Sequence, residues 1–201
     1  MKTQLVALAL LGLAAPAFAQ GQPGAEAAAK VAAGTYTVDT DHTQIAWGVN
    51  HLGFNVYYGI FGGTTGTLTL DPANPQSAGV SLTIPIDKVS TTSEQLNAHL
   101  KTADFFDTAK FPTATFRSTS AVVDGLEAKI TGDLTIKGIT KPVVLDARFT
   151  GAGPNPMSKI ETVGFEATAK VKRSDYGITY ALPVLGDEVT LHITAAFERR
   201  P

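Results

Sequence analysis

Hydrophobic and polar residues alternate with a period of two along most of the chain after residue 34. In the first clear run, the alternation places Ile45, Trp47 and Val49 on one face. Strict alternation of this kind is typical of a β-strand with one buried face. The same pattern recurs in later runs, whose inward positions include Leu82, Ile84, Leu134, Ile136, Leu145 and Phe165. We therefore predict an all-β domain of eight or so strands, folded as a sandwich or a closed barrel.

One segment, STTSEQLNAHLKTADFFDTAKFP at residues 90–112, interrupts the alternation. Thr91 and Glu94 have the spacing of a capping box. Leu96 and Leu100 lie one helical turn apart, and a proline at the end of the segment prevents the helix from continuing. The pattern predicts one helix of about ten residues that lies across the sheet.

The N-terminal part of the chain divides into two predicted segments. Residues 1–19 resemble a secretory signal peptide, with Lys2 before an apolar run and a small-x-small cleavage site that ends at Ala19. Residues 20–33 are predicted to be a flexible leader and residues 34–201 a single domain. We expect export to a bacterial periplasm. Because the apolar run is too short to span a bilayer, we expect no stable membrane insertion.

Charge and cysteine content restrict the classes of partner. The formal net charge of the chain is −2, and it becomes −3 if Lys2 is removed with the signal peptide. A mildly acidic protein is not held by charge on nucleic acid, so we expect no nucleic-acid partner. The chain has no cysteine, so the exported domain must rely on its hydrophobic core rather than on disulfides.

The residue types that carry catalysis or bind metals are scattered. The four histidines, at positions 42, 51, 99 and 192, lack the short spacings of a metal site, and no cysteine can complete a ligand set. No Gly-x-Ser-x-Gly motif is present. We therefore predict no metal site, no cofactor and no catalytic residue.

The stretch KRSDYG at residues 172–177 places Arg173 and Asp175 on the same face of an extended segment. This spacing favours a structural salt bridge next to a turn at Gly177. The alternative is a polar clamp at the mouth of a pocket, with Tyr176 packed beside it.

Aromatic side chains concentrate in two irregular segments, the stretch NHLGFNVYYGIFGG at residues 50–63 and the helical segment. They include Phe54, Tyr57, Tyr58, Phe61, Phe105 and Phe106. Each one alone could plug the end of a barrel, but together they indicate the lined entrance of a pocket. His51 continues the inward face of Val49, so its imidazole could donate to a ligand head group or to a buried carbonyl.

Four motifs occur in the order and spacing of the YceI-like family, which the chain resembles from about residue 35 to 198. The motifs are YTVDTDHTQIAWGVNHLGFNVYYGIFGG, HLKTADFFDTAKFP, GDLTIKGITKPV and KRSDYGI. The resemblance implies an extended, eight-stranded, antiparallel, lipocalin-like barrel with one short covering helix. It also implies an exported bacterial protein that holds a polyisoprenoid or similar amphiphile in its lumen and has no established enzyme chemistry.

The inward faces and the resemblance together predict a ligand pocket. Its predicted lining is Ile45, Trp47, Val49, His51, Phe54, Tyr57, Phe61, Leu82, Ile84, Phe105, Phe106, Leu134, Ile136, Leu145 and Phe165. The expected partner is an isoprenoid lipid or isoprenoid quinone. Two alternatives are a filled barrel that acts as a stress or interaction protein and a metal-dependent enzyme that acts on such lipids. An exposed edge strand could also pair two copies into a homodimer.

Free energy favours a ligand with a long tail. A strand of about ten residues, tilted by about 40°, gives an interior roughly 25 Å deep. Each buried methylene contributes about 0.8 kcal/mol, whereas association costs roughly 4 to 15 kcal/mol. A tail of about ten carbons would barely bind, and about twenty carbons leave roughly 8 kcal/mol, which corresponds to micromolar affinity.

Overall fold

The computed structural model describes Gly24 and residues 31–199. The predicted signal peptide and most of the predicted leader lie outside the described residues. The strands of the described part are β1 (Gly34–Val38), β2 (Gln44–His51), β3 (Asn55–Phe61), β4 (Thr65–Leu70), β5 (Gly79–Pro85), β6 (Val89–Ser90), β7 (Thr113–Asp124), β8 (Glu127–Ile136), β9 (Ile139–Pro154), β10 (Glu161–Lys172) and β11 (Leu185–Glu198). The α-helix is α1 (Glu94–Leu100), and short 3-10 turns span Pro75–Ser77, Ile86–Lys88 and Arg173–Tyr176.

Eight of these strands close an antiparallel ring. β1, β4, β5, β7, β8, β9, β10 and β11 pair in that order, and β11 pairs back to β1. β1 and β2 both pair with β11, at different places along it. Residues 185–194 of β11 pair with β2, and residues 197–198 pair with β1. β3 pairs with β2 and leads into β4, while β6 follows β5 and pairs with β3. The predicted eight-stranded barrel with one helix is confirmed.

α1 covers one end of the barrel, and its N-cap lies two residues after the predicted cap, Thr91. Ser93 caps the helix, because its Oγ accepts a hydrogen bond from the backbone N of Leu96 at 3.2 Å. The predicted capping pair of Thr91 and Glu94 is wrong. The Thr91 hydroxyl accepts from Ser93 N at 3.1 Å, within the turn that precedes the helix. The helix therefore has seven residues.

None of the helices in the described part of the chain combines the length and apolar character that a membrane crossing needs.

The other end of the barrel is filled by side chains. Its buried residues are Tyr36, Val38, Leu68, Phe149, Ala152, Val163 and Phe197. Phe165 packs between Phe149 and Phe197, with ring centroids 5.7 Å and 6.1 Å apart and edge-to-face geometry. Phe165 was predicted to line the ligand pocket, but the structure places it in this filled end. The open interior is therefore shorter than the length of the strands would allow.

Gly59 is the position where the strands leave room for an indole ring. Gly59 and Trp47 are direct partners across β2 and β3. A Cβ built on Gly59 would lie 2.2 Å from Trp47 Cζ2. Because no side chain fits there, the indole can lie flat against β3 and face the interior.

We expect Gly59→Ala to lower the free energy of unfolding by roughly 1 to 3 kcal/mol, because the added methyl overpacks against Trp47. Urea denaturation measures this effect. Gly62→Ala is the matched control, since a Cβ there meets no atom within 4 Å. A Gly59→Ala protein as stable as the wild type would contradict the packing of Trp47 on β3.

Candidate functional site

An apolar cavity lies in the half of the barrel beneath α1. Its volume is about 220 Å³. A single water needs only about 10–15 Å³, together with two to four polar partners. The described wall contains no Asp, Glu, Lys, Ser or Thr. This cavity is therefore suited to hydrocarbon rather than to ordered water.

Most of the residues predicted for the pocket lie in the cavity wall. These are Ile45, Trp47, Val49, His51, Tyr57, Phe61, Leu82, Ile84, Phe105, Phe106, Leu134, Ile136 and Leu145. The alternation along each strand brings them together, because alternate residues of a barrel strand face the interior. Their contact with a ligand stays a prediction.

The structure places two predicted residues outside the wall. Phe54 is 87% exposed in the turn between β2 and β3. This turn belongs to neither strand, so the alternation that brings His51 inward does not extend to Phe54. Phe165 does belong to a strand, but at the filled end. Alternation predicts which face a residue is on and does not predict its height along the barrel axis.

The sequence reasoning missed roughly half of the wall. The additional lining residues are Ile86, Leu96, Leu100, Ala114, Phe116, Val143, Val171, Arg173, Tyr176, Ile178, Leu185, Val189, Leu191 and Ile193. Val189, Leu191 and Ile193 occupy alternate positions of one run, so the pattern could have included them. Arg173, Tyr176 and Ile178 come from an irregular segment, for which periodicity gives no signal.

Aromatic contacts hold the cover of the cavity in place. The cover consists of α1 and residues 101–111, which contribute Phe105 and Phe106 to the wall. Phe106 packs edge-on against Phe61 of β3, with centroids 5.6 Å apart. On the other side, the His99 ring lies 5.0 Å from both Phe105 and Tyr180. The cover is thus anchored to β3 and to the segment that follows the 3-10 turn at 173–176 and runs into the start of β11.

Arg173 organises that segment, which comprises residues 177–186. Its side chain is buried, and its guanidinium donates to backbone carbonyls rather than to a carboxylate. The acceptors are the carbonyls of Gly186 at 2.8 Å, Ile178 at 3.1 Å, Tyr180 at 2.8 Å and Leu185 at 3.3 Å. The predicted salt bridge with Asp175 is therefore wrong, because Arg173 turns inward while Asp175 remains exposed.

The carboxylate of Asp187 lies near the Arg173 guanidinium. Asp187 accepts hydrogen bonds from the backbone N and the Oγ of Ser174, at 2.9 Å and 2.7 Å. Burial by itself would raise the pKa of Asp187. The two hydrogen bonds from Ser174 and the positive charges of Arg173 and Lys172 outweigh that effect and hold the pKa below its ordinary value. Burial in turn lowers the pKa of Arg173, and Asp187 opposes that change.

Two buried hydrogen-bond donors belong to residues of the wall. Trp47 Nε1 and the Tyr176 hydroxyl have no hydrogen-bond partner among the described residues. Burial, with a smaller contribution from Asp175, raises the pKa of Tyr176 to about 12. The hydroxyl therefore stays protonated near neutral pH. Because a buried polar group without a partner is costly, these two atoms are the unsatisfied polar atoms among the described wall residues.

The remaining titratable residues of the described wall are His51 and Tyr57. His51 is half-buried, and its ring lies 6.0 Å from that of Tyr57. Within residues 31–199, no three His, Cys, Asp or Glu side chains are grouped so that they could hold a metal ion.

Comparison with known proteins connects this cavity to a family. The model of the YceI-like domain matches residues 36–197. Protein YceI of Escherichia coli O157:H7 is 41% identical over 169 residues, which cover 83% of this chain and 88% of that protein.

Solved structures share the fold at lower sequence identity. BcnA of Burkholderia cenocepacia superposes with a TM-score of 0.71 at 22% identity, over 79% of this chain and 98% of that one. A polyisoprenoid-binding domain from Saccharophagus degradans, implicated in plant cell wall breakdown, gives a TM-score of 0.60 at 16% identity. The alignment covers 82% of this chain and 98% of that domain.

We expect Asp187→Asn to destabilise the protein at pH 7 and to have less effect at pH 3. Folding lowers the pKa of Asp187, so its carboxylate stabilises the native state above the unfolded pKa of about 3.9. This contribution is lost as the pH falls through the lower folded pKa. Urea denaturation at the two pH values measures it, with the exposed Asp175→Asn as control. A loss in the free energy of unfolding that is the same at pH 7 and at pH 3 would show that the charge of Asp187 is not its cause.

Proposed function

This chain belongs to the YceI-like family, and from that premise and the apolar cavity we propose that it binds a long-chain isoprenoid or similar amphiphilic lipid. In this proposal the tail lies in the cavity and the protein acts as a carrier or reservoir in the bacterial periplasm. The N-terminal pattern of a secretory signal peptide supports that location. The observation that carries the proposal is the apolar wall of the cavity, to which β2, β3, β5 and β7 to β11 contribute.

The chemistry of the wall favours binding over catalysis. Its titratable side chains are His51, Tyr57, Arg173 and Tyr176. The Arg173 guanidinium is occupied by four backbone carbonyls, and no carboxylate reaches the wall to form an acid–base pair with His51. Hydrocarbon burial is the interaction that such a wall can supply. The polyisoprenoid-binding domain from Saccharophagus degradans supports the view that this fold can accommodate a prenyl chain.

The filled end of the barrel limits the length of tail that can be enclosed. The phenylalanine packing at Phe149, Phe165 and Phe197 occupies the lumen opposite α1. A tail of about twenty carbons, the length at which burial exceeds the cost of association, must therefore bend within the cavity or extend from its mouth. A protein whose barrel is filled throughout would have no such cavity, so the interaction-protein alternative has less support.

The two buried donors favour a ligand that carries oxygen. Trp47 Nε1 and the Tyr176 hydroxyl can each donate one hydrogen bond, and neither has an acceptor among the described residues. The carbonyl oxygens of a quinone or the hydroxyl of a prenyl alcohol are suitable acceptors, whereas a hydrocarbon offers none. Among isoprenoids, a quinone or an alcohol is therefore favoured over a hydrocarbon.

Blocking the cavity tests the binding proposal. We expect Val189→Phe to reduce loading with ubiquinone or solanesol at least about tenfold, because a ring placed in the cavity excludes the tail. Native mass spectrometry after incubation in mild detergent measures the loaded fraction. Val122→Phe is the matched control, since Val122 is 64% exposed on β7. Equal loading of wild type, Val189→Phe and Val122→Phe would place the lipid outside the cavity, and no loading of the wild type would refute the proposal.

Removing one unpartnered donor tests the preference for oxygen. We expect Tyr176→Phe to leave the unliganded protein as stable as the wild type or about 1 kcal/mol more stable, because it removes an unsatisfied buried hydroxyl. The same change should weaken ubiquinone binding about fivefold and leave binding of squalene, an isoprenoid hydrocarbon, unchanged. Competition titrations and urea denaturation measure the two effects. Equal weakening of ubiquinone and squalene binding would indicate that the substitution changes the shape of the cavity rather than removing a hydrogen bond to the ligand.

A further inference from the structure

Exposed apolar side chains gather at the mouth of the cavity. Leu52 and Phe54 are 42% and 87% exposed, and Tyr180 and Val184 are 46% and 63% exposed. We call these four residues the rim patch. Soluble proteins tolerate single exposed apolar residues, but a cluster beside a binding site indicates an interaction surface.

Strand pairing brings the two halves of the rim patch together. Leu185, which follows Val184, pairs with His51, which precedes Leu52. His51 and Leu185 both line the cavity and are only half-buried. The rim patch therefore adjoins two partly exposed residues of the cavity wall.

The turn that carries Leu52 and Phe54 holds a fixed shape. Leu52 and Gly53 have φ values of 57° and 76°. The backbone N of Phe54 donates to His51 O at 3.0 Å, and that of Gly53 donates to Asn50 Oδ1 at 2.8 Å. A leucine is disfavoured at such a φ, where glycine or asparagine is usual, and this one is also partly exposed to solvent. Local folding therefore gives no reason for a leucine at this tip.

The composition around the rim patch distinguishes a bilayer from a protein partner. Residues 43–70 and 176–186 contain no Asp, Glu, Lys or Arg, and the charged pair beside the patch is that of Asp104 with His99, whose ring lies 5.0 Å from Tyr180. Protein interfaces are enriched in arginine and have polar rims, whereas leucine, phenylalanine and tyrosine without charge suit the boundary between lipid head groups and acyl chains. The formal net charge of −2 gives no general attraction to anionic lipids. Insertion of apolar side chains would have to supply the affinity.

We propose that the rim patch docks on the surface of a lipid bilayer and turns the cavity mouth toward the membrane. The tail of the cargo then passes between bilayer and cavity without crossing water. This role rests on the proposed function, because only a lipid cargo gives the docking a purpose. Because the contact is apolar, it works on zwitterionic lipid and resists salt, unlike binding by a basic patch.

Flotation with phosphatidylcholine vesicles tests the docking. We expect the wild-type protein to float with the vesicles and the double variant Leu52→Asn, Phe54→Ser to lose about tenfold in vesicle affinity. Asparagine suits the φ of position 52, so the turn is retained. Met157→Ser is the matched control, because Met157 is 91% exposed in the connection between β9 and β10 and should not affect flotation. Raising the salt concentration should leave the bound fraction unchanged.

Three outcomes would overturn the docking: no flotation of the wild type, equal flotation of the double variant, or binding that salt abolishes. A wild-type dimer that does not float, and that the double variant converts to monomers in analytical ultracentrifugation, would instead assign the rim patch to a second copy of the chain.

Loading from detergent, measured by native mass spectrometry, separates this inference from the proposed function. A double variant that loads ubiquinone normally from detergent but slowly from vesicles supports docking. Flotation without any loading of the wild type would leave docking intact and refute the lipid cargo. Loading of the wild type without flotation would refute the docking and leave the lipid cargo intact.

Discussion

The packing of Phe149, Phe165 and Phe197 divides the lumen of this barrel. An eight-stranded barrel is just wide enough to be filled by side chains or to hold one small ligand. At one end these three rings, together with buried residues such as Tyr36 and Val163, fill it. At the other end, residues such as Val189 and Ala114 leave the interior open. The filled end gives the closed barrel a firm core without disulfides, so the open end can remain hollow.

The shape of the open end depends on polar contacts as well as on its apolar wall. Arg173 gathers four backbone carbonyls from the segment that leads into β11, and Tyr180 of that segment meets His99 of the cover. A buried guanidinium is tolerated because each carbonyl satisfies part of its donor set. One side chain thereby links the strand that ends at Lys172 to the rim of the cavity and, through Tyr180, to α1.

Alternation along the strands was enough to predict eight or so strands in a sandwich or a closed barrel and roughly half of the cavity wall, while the resemblance to the YceI-like family implied the barrel. It succeeded for residues such as Trp47 and Leu134, because a strand residue that faces inward must lie in the lumen. It did not give the height of Phe165 along the axis, which depends on register with distant strands, and Phe54, predicted from the concentration of aromatic residues, lies in an exposed turn. Arg173 could not be placed from sequence, since its acceptors are backbone carbonyls that only the folded chain brings into reach.

The chain contains a single tryptophan, Trp47, and it lies in the cavity wall. Its fluorescence therefore reports directly whether a tail enters the lumen. Titration with 9,10-dibromostearate, whose bromines quench on contact, should give saturable quenching with one molecule bound per chain. Solanesol, which carries no quenching group, should relieve this quenching in competition. Weak quenching that rises linearly with concentration, as for free tryptophan in solution, would contradict the account that the cavity holds a lipid tail.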